Sequence, residues 1–314
     1  MHRRAFVQTL LCVGELGLTA FSGIAEEARA VPAPSQYATG VSHIPVPRHA
    51  TDAHHHIYDS RFPVDPKAAL RPGNATVADY RRLQKRLGTT RNVVVQPSTY
   101  GVDNSCLLDA LHQFGVDNSR GVAVVNTSVS DAELKRLHTA GVRGIRFNLA
   151  QAGATTPEMA GPLAKRIAAL GWHIQVNASS EHILSLADLW SRVPVPVVFD
   201  HFGHVAELSD PAFSLMCKLM QRGKAWTKLS GAETISKVGA PRYADMTPVA
   251  RAFIREAPER LLWGTNWPHP TSKDKPDDVT LLNLLAQWTN DESVRTKILV
   301  SNPETLYGFA PSQA

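Results

Sequence analysis

Short apolar runs alternate with longer segments of helical period along most of this chain, and this alternation limits its fold more than any other feature. The runs that predict buried strands are residues 51–58, 92–96, 122–126, 144–148, 173–177, 195–201, 226–229 and 261–266. Each of them is followed by a segment that predicts a helix. Eight strand–helix units predict an α/β protein with a single-domain (β/α)8 TIM barrel.

The helix predictions rest on spacing and on end signals. Residues 77–87 place three apolar side chains on one helix face, and Ser130 and Gly141 flank the helix predicted at 132–140 as N-cap and terminal glycine. Further helices are predicted near residues 105–113, 162–170, 181–190, 211–222, 248–256 and 279–288. A doubly wound open sheet is the alternative fold. It usually has a glycine-rich phosphate turn after its first strand, and this sequence has none there.

The first residues have the form of an export signal. Two arginines precede a mostly apolar stretch, and residues 28–30 have the small-x-small form of a cleavage site. We therefore expect a twin-arginine-like signal peptide at 1–30, a linker at 31–50 and the barrel domain at 51–310. The expected location is the periplasm or the exterior, with the cytoplasm as the alternative. No other stretch is apolar enough to predict a membrane span in the mature protein.

The composition points to a small-molecule partner only weakly. The formal net charge is +5, and the charged fraction of 19% contains no long run of one sign, which argues against a nucleic-acid-binding arm. The net positive charge suits an anionic substrate, but a protein that simply carries more lysines and arginines on its surface has the same net charge. Cys106 and Cys217 lack neighbours at metal-binding spacing, so we expect both to be buried as small apolar residues.

Polar side chains lie at the ends of the first, sixth and eighth predicted strands, where a TIM barrel carries its catalytic groups. Alternation along the first strand places His54 and His56 on one face. Two imidazoles two residues apart can together bind a metal ion or polarise one oxygen. The alternative is a buried, hydrogen-bonded pair. His201 and Asn266 end the sixth and eighth strands.

Four segments resemble motifs of the amidohydrolase superfamily: residues 51–59, 198–204, 262–270 and 302–308. The resemblance is strongest to the amidohydrolase-related group, which contains 2-pyrone-4,6-dicarboxylate lactonase and galactarolactone isomerase. It covers most of the chain from Thr51 to Phe309. It implies a TIM-barrel hydrolase that acts on a lactone ring of a carboxylated or sugar-acid small molecule.

The resemblance also assigns catalytic residues. His54 and His56 match the first-strand histidine pair, His201 matches the sixth-strand histidine, and Asn266 stands where the family usually has aspartate. In metal-dependent members that aspartate binds the metal and takes a proton from water, and a fifth-strand histidine completes the site. On the fifth strand of this chain the inward candidate is Gln175 or, in the other register, Ile174 and Val176.

The resemblance to the lactonase group implies that no cofactor is needed. If a divalent metal such as Zn²⁺ is bound, its expected ligands are His54, His56 and His201. Without a metal, these three histidines are expected to donate hydrogen bonds to a lactone carbonyl as its oxyanion forms.

Asn266 cannot act as a general base, because an amide does not take up a proton near neutral pH. One outcome is that His269, His204 or Asp103 activates water and the enzyme hydrolyses its substrate. The other is that a hydroxyl of the substrate attacks, which interconverts lactone ring sizes. A barrel that only binds a ligand is the alternative outside catalysis.

Substrate carboxylates need fixed cations. Arg146 shares a strand face with Asn148, and its planar guanidinium can hold a carboxylate through two hydrogen bonds. The other predicted substrate-binding residues are Gln96, Ser98, Tyr100, Asn104, Gln175, Lys228, Arg242, Tyr243 and His269.

Overall fold

Eight parallel strands form one sheet in sequential order in this computed structural model, which describes residues 42–151 and 153–312. The strands are β1 (Thr51–His55), β2 (Arg91–Val95), β3 (Ser119–Ala123), β4 (Val142–Asn148), β5 (His173–Asn177), β6 (Val197–Phe199), β7 (Ala225–Leu229) and β8 (Leu261–Trp263). Buried strands with helices between them confirm the predicted (β/α)8 barrel.

The barrel closes between β1 and the segment that follows β8. The backbone N–H of Asn266 donates to the carbonyl of His54 at 2.8 Å, and that of His56 donates to Trp267 at 2.8 Å. Gly264 passes so close to β1 that a Cβ at this position would lie 2.6 Å from the Cβ of His54. The missing side chain of Gly264 therefore lets the eighth strand bring Asn266 beside the two first-strand histidines.

Helices and short helical turns cover the outside of the barrel. The helices are α1 (Val77–Leu87), α2 (Ser105–Phe114), α3 (Asp131–Thr139), α4 (Pro157–Ala168), α5 (Ser180–Ser185), α6 (Ala187–Arg192), α7 (Pro211–Gln221), α8 (Ala232–Ile235), α9 (Met246–Glu256), α10 (Asp278–Trp288), α11 (Glu292–Thr296) and α12 (Asn302–Tyr307). Predicted helix 181–190 is divided into α5 and α6. Predicted helix 162–170 begins earlier, because α4 starts with Pro157 at its first turn.

Three predicted strands, 51–58, 195–201 and 261–266, are shorter in the structure than the sequence pattern indicated. The backbone turns after β6 and β8, where His201 and Asn266 have φ angles of 51° and 69°. Residues other than glycine rarely adopt this left-handed backbone conformation, and it does not continue a strand. The side chains of His201 and Asn266 therefore project from turns above the barrel, whereas His54 lies within β1.

The predicted signal at 1–30 lies outside the described residues, as does most of the predicted linker. No described helix is long and apolar enough to cross a bilayer. Cys106 and Cys217 are buried and unpaired within the described chain, so the prediction of small buried side chains is confirmed.

Candidate active site

A cavity of about 180 Å³ lies where the carboxyl ends of the strands meet the following loops. Its polar lining comprises His56, Tyr58, Ser98, Arg146, Asn148, Gln151, Asn177, His201, His204, Thr234, Asn266 and Thr271. Among these described lining residues Arg146 carries the sole formal charge, and none is acidic. The cavity is therefore complementary to a small anionic molecule with carbonyl or hydroxyl groups.

His56 faces this cavity in a defined tautomer. Its Nδ1 lies 2.7 Å from the carbonyl oxygen of Val95, and because a carbonyl only accepts, Nδ1 carries the proton. Burial and the charge of Arg146 lower the pKa of His56 well below its usual value, so the ring is neutral. Its Nε2 then has a lone pair. The expectation that His56 donates to the lactone carbonyl is thus corrected, since this atom can only accept a proton.

His54 lies behind the cavity, not in its lining. Its Nδ1 is 3.2 Å from Asp200 Oδ1 and 3.2 Å from Lys228 Nζ, and Nε2 has no partner within the described ranges. Its ring centre is 5.0 Å from that of His56 and 4.6 Å from that of His201. His54 therefore supports His56 and His201, two of the three histidines that line the cavity.

Asp200 is the centre of this buried cluster, although the sequence analysis gave it no role. Its Oδ2 accepts from Arg146 Nε at 3.3 Å and from Gln175 Nε2 at 3.0 Å, while Oδ1 lies 3.5 Å from Lys228 Nζ. Burial opposes ionisation, but the contact with His54 and the charges of Lys228 and Arg146 hold the pKa of Asp200 well below its usual range. The available signal was its place directly before the strand-end histidine, His201.

Two predicted substrate-binding residues belong to this cluster instead of the cavity lining. Gln175 and Lys228 have no exposed surface, and Lys228 Nζ donates to Gln175 Oε1 at 2.7 Å. Gln175 was predicted to point inward, but both side chains lie in the packed barrel interior below the mouth. They hold the Asp200 carboxylate, and through it Arg146 and His54.

The structure also brings together a group that could hold a metal ion. His54, Asp200 and His201 offer ligand atoms within 4.8 Å of one another. This set differs from the three histidines expected from the sequence, because Asp200 takes the place of His56. Ligand atoms of these types bind zinc in many proteins.

His201 and His204 enter the cavity from the turn after β6. Burial lowers the pKa of His201 to about 4, so this ring is neutral near pH 7, and its Nδ1 lies 2.9 Å from Ser230 Oγ. His204 Nε2 lies 2.9 Å from Asn177 Oδ1, which only accepts, so Nε2 is the donor of this pair.

A directed chain of hydrogen bonds continues from His204 along the cavity wall. Asn177 Nδ2 donates to Asn148 Oδ1 at 3.0 Å, and Asn148 Nδ2 donates to Ser98 Oγ at 2.7 Å. Because Ser98 accepts here, its own hydroxyl hydrogen can be donated to a bound molecule. The chain fixes the orientation of both amides.

Asn266 is held by a buried carboxylate that the sequence analysis missed. Its Nδ2 donates to Glu233 Oε1 at 2.8 Å, and the same oxygen lies 3.0 Å from His269 Nδ1. His269 Nε2 lies 2.8 Å from Asp278 Oδ1. His269 is thus enclosed between two carboxylates and does not line the cavity. This corrects its expected role as base or substrate ligand, because a doubly bonded imidazolium has no free lone pair.

The other predicted residues outside the lining are Gln96, Tyr100, Asp103, Asn104, Arg242 and Tyr243. Most of these side chains form hydrogen bonds to backbone groups. Asn104 Nδ2 donates to the Val124 carbonyl at 2.9 Å, and the Tyr100 hydroxyl accepts from the Asp59 N–H at 2.8 Å. Short polar side chains in loops often bond to nearby backbone in this way.

We expect His269 to stay protonated well above neutral pH. Burial alone would lower its pKa, but Asp278 and Glu233 outweigh burial and raise the pKa of His269 to about 9. This raised pKa stabilises the fold fully below about pH 6.5, and the contribution is lost as the pH rises through about 9. NMR of ¹⁵N-histidine-labelled protein, with His269 assigned from the His269→Asn spectrum, measures the midpoint. A midpoint near the ordinary histidine value contradicts the prediction.

Comparison with known proteins gives one family. The sequence pattern described as amidohydrolase matches residues 51–309. A 2-pyrone-4,6-dicarboxylate hydrolase of Comamonas testosteroni is 37% identical over 278 residues, which cover 83% of this chain and 91% of that protein. A D-galactarolactone isomerase of Agrobacterium fabrum is 30% identical over 276 residues, which cover 85% of this chain and 94% of that protein.

The fold comparison agrees with the sequence matches. A crystal structure of a protein from Agrobacterium tumefaciens has a TM-score of 0.79 and 30% identity, and the match covers 85% of this chain and 98% of that one. The predicted family is therefore confirmed by both sequence and fold. The chain belongs to the amidohydrolase family of enzymes.

Proposed function

We propose that this enzyme hydrolyses the lactone ring of a small carboxylated molecule. The observation that carries the proposal is the cavity itself, in which one fixed cation, Arg146, lies among neutral imidazoles of His56 and His201. One relative is named a 2-pyrone-4,6-dicarboxylate hydrolase, and such a substrate combines a lactone with carboxylates.

Arg146 is oriented to bind the substrate carboxylate. Its Nε donates to Asp200, which fixes the plane of the guanidinium, and its two terminal nitrogens have no hydrogen-bond partner in the part of the chain that is described. Two parallel N–H groups match the two oxygens of a carboxylate. The hydroxyl of Ser98 supplies a further donor nearby.

Ring opening uses His56 and His201, two of the histidines that line the cavity. Asn266 Oδ1 accepts one hydrogen bond from a water molecule, and His56 Nε2 takes a proton from this water as its oxygen bonds to the lactone carbonyl carbon. His201 donates Nε2–H to the developing oxyanion in the tautomer in which Ser230 donates to Nδ1. The ring C–O bond then breaks, and His56 returns the proton to the leaving oxygen. The product is the open-chain acid.

The proposed reaction uses no resident metal ion. Lys228 Nζ lies 3.5 Å from one oxygen of Asp200, and Arg146 Nε lies 3.3 Å from the other. A divalent cation bound to this carboxylate would be repelled by both of these buried positive charges. The cluster therefore fits its two protein cations better than it fits a metal.

Isomerisation of a lactone is the second candidate, and Asn266 favours it. An amide positions a hydroxyl without removing its proton, which suits an attacking hydroxyl of the substrate as well as water. One relative is named D-galactarolactone isomerase. His56 serves as the proton acceptor in either reaction.

A lactone panel in H₂¹⁸O separates these possibilities. We expect NMR to detect an open-chain acid from a carboxylated lactone, and mass spectrometry to find one ¹⁸O atom in its carboxylate. A new ring size without ¹⁸O assigns the isomerase reaction instead. Calorimetric binding of these lactones without turnover of any of them contradicts both and indicates a ligand-binding barrel.

A further inference from the structure

We infer that Glu233 is a positioning residue. It orients and polarises the Asn266 amide, so that this amide takes the place of the carboxylate that the family usually has at this position. The inference rests on the proposed function, because it concerns how the attacking hydroxyl is held. It assigns Glu233 a task that the sequence did not reveal.

The geometry fixes which end of the amide faces the cavity. Glu233 belongs to α8, which starts directly after Gly231, two residues beyond the end of β7, and its side chain is 3% exposed. A carboxylate only accepts hydrogen bonds, so the Asn266 group 2.8 Å away must be the NH₂ end. Asn266 lines the cavity, and its Oδ1 is therefore the end left for a bound hydroxyl.

The charge of Glu233 adds to this orientation. A hydrogen bond from the amide N–H to an anion pulls electron density toward the amide oxygen, and a low-dielectric surrounding strengthens the effect. Asn266 Oδ1 thereby becomes a stronger acceptor. It gains part of the negative character of an aspartate oxygen without the ability to bind a full proton.

The surroundings keep Glu233 ionised and in place. His269 donates to the oxygen that Asn266 contacts and is itself held by Asp278. Burial opposes ionisation of Glu233, but its bonds from His269 and Asn266 outweigh burial and lower its pKa. Its second oxygen, Oε2, is buried and has no partner among the described residues.

This arrangement couples positions 233 and 266. Asn266 Nδ2 now lies 2.8 Å from Glu233 Oε1. An aspartate at position 266 would put a carboxylate oxygen in the place of this nitrogen, within hydrogen-bonding distance of Glu233. Two carboxylates in such contact cannot both ionise at little cost. Asparagine at position 266 is therefore compatible with an ionised glutamate at position 233. The aspartate that the family usually has at position 266 needs a neutral residue at position 233.

The test is a double-mutant cycle on kcat and KM with the lactone identified in the panel. Glu233→Gln keeps an acceptor for Asn266 but removes the negative charge that polarises its amide, and we expect it to lower kcat by about 10- to 100-fold with little change in KM. Asn266→Asp alone is expected to lower kcat/KM at least about tenfold at pH 7. The double variant is expected to exceed Asn266→Asp by about tenfold, because the glutamine can donate to the introduced aspartate. Glu259→Gln, an exposed glutamate before β8, is the control and should match wild type.

The same four proteins are compared in unfolding experiments without substrate. Asn266→Asp should lower the melting temperature more in the presence of Glu233 than in the Glu233→Gln background. Additive effects in both activity and unfolding overturn the inference. If wild type turns over no lactone, the proposed function fails, and the unfolding cycle still decides whether the two side chains are coupled.

Discussion

Replacing His56 by asparagine is expected to lower kcat/KM for the lactone by about 10³-fold, as loss of a general base does. Asparagine keeps a donor close to the position of His56 Nδ1, which now contacts the Val95 carbonyl at 2.7 Å. It removes the Nε2 lone pair that accepts the proton. The loss should therefore appear in kcat, while KM and the melting temperature stay near their wild-type values.

The pH dependence of wild type adds a second measurement. Because burial and Arg146 lower the pKa of His56, the base is unprotonated at neutral pH. Activity should stay constant as the pH falls from 8 to about 6.5 and decline only as it passes through the lowered pKa. His112→Ala, which removes an exposed histidine of α2, is the control. Retention of wild-type kcat by His56→Asn would show that another group takes the proton.

The barrel could be predicted from sequence because its signal is local. Strands of a parallel sheet are buried on both faces and therefore read as short apolar runs, and the helices between them show their own period. The ends of the strands were harder to predict. Their polar residues continue the alternating pattern, yet His201 and Asn266 have positive φ angles that turn them away from the strand.

The candidate site was predicted only in part, since its chemistry depends on contacts between distant segments. The tautomer of His56 is set by Val95 of the neighbouring strand, and the orientation of Asn266 is set by Glu233. Neither contact has a sequence signal. Lys228 was predicted to bind the substrate because it is a cation on a barrel strand, but the sequence does not show how deep in the barrel its side chain lies.

Replacing Arg146 by glutamine is expected to lower kcat/KM for a carboxylated lactone by about 10²-fold, mainly through KM, since a bidentate charged contact is worth about 3 kcal/mol. The methyl ester of the same lactone lacks the carboxylate charge. For this ester, wild type and Arg146→Gln should differ by less than about fivefold. The charge of the substrate, not its size, is thus expected to determine the loss.

Two features of the structure make this comparison specific. Asp200 keeps hydrogen-bond or ion-pair contacts with Gln175 and Lys228 when Arg146 is replaced, so its buried charge is not left without a partner and the fold should persist. Arg143→Gln is the matched control on the same strand, because its guanidinium bonds to the backbone carbonyl of His138 at 3.0 Å outside the cavity lining. An equal loss for the acid and the ester would mean that Arg146 maintains the site and does not recognise the carboxylate. An unchanged KM for the acid would place the carboxylate elsewhere in the cavity.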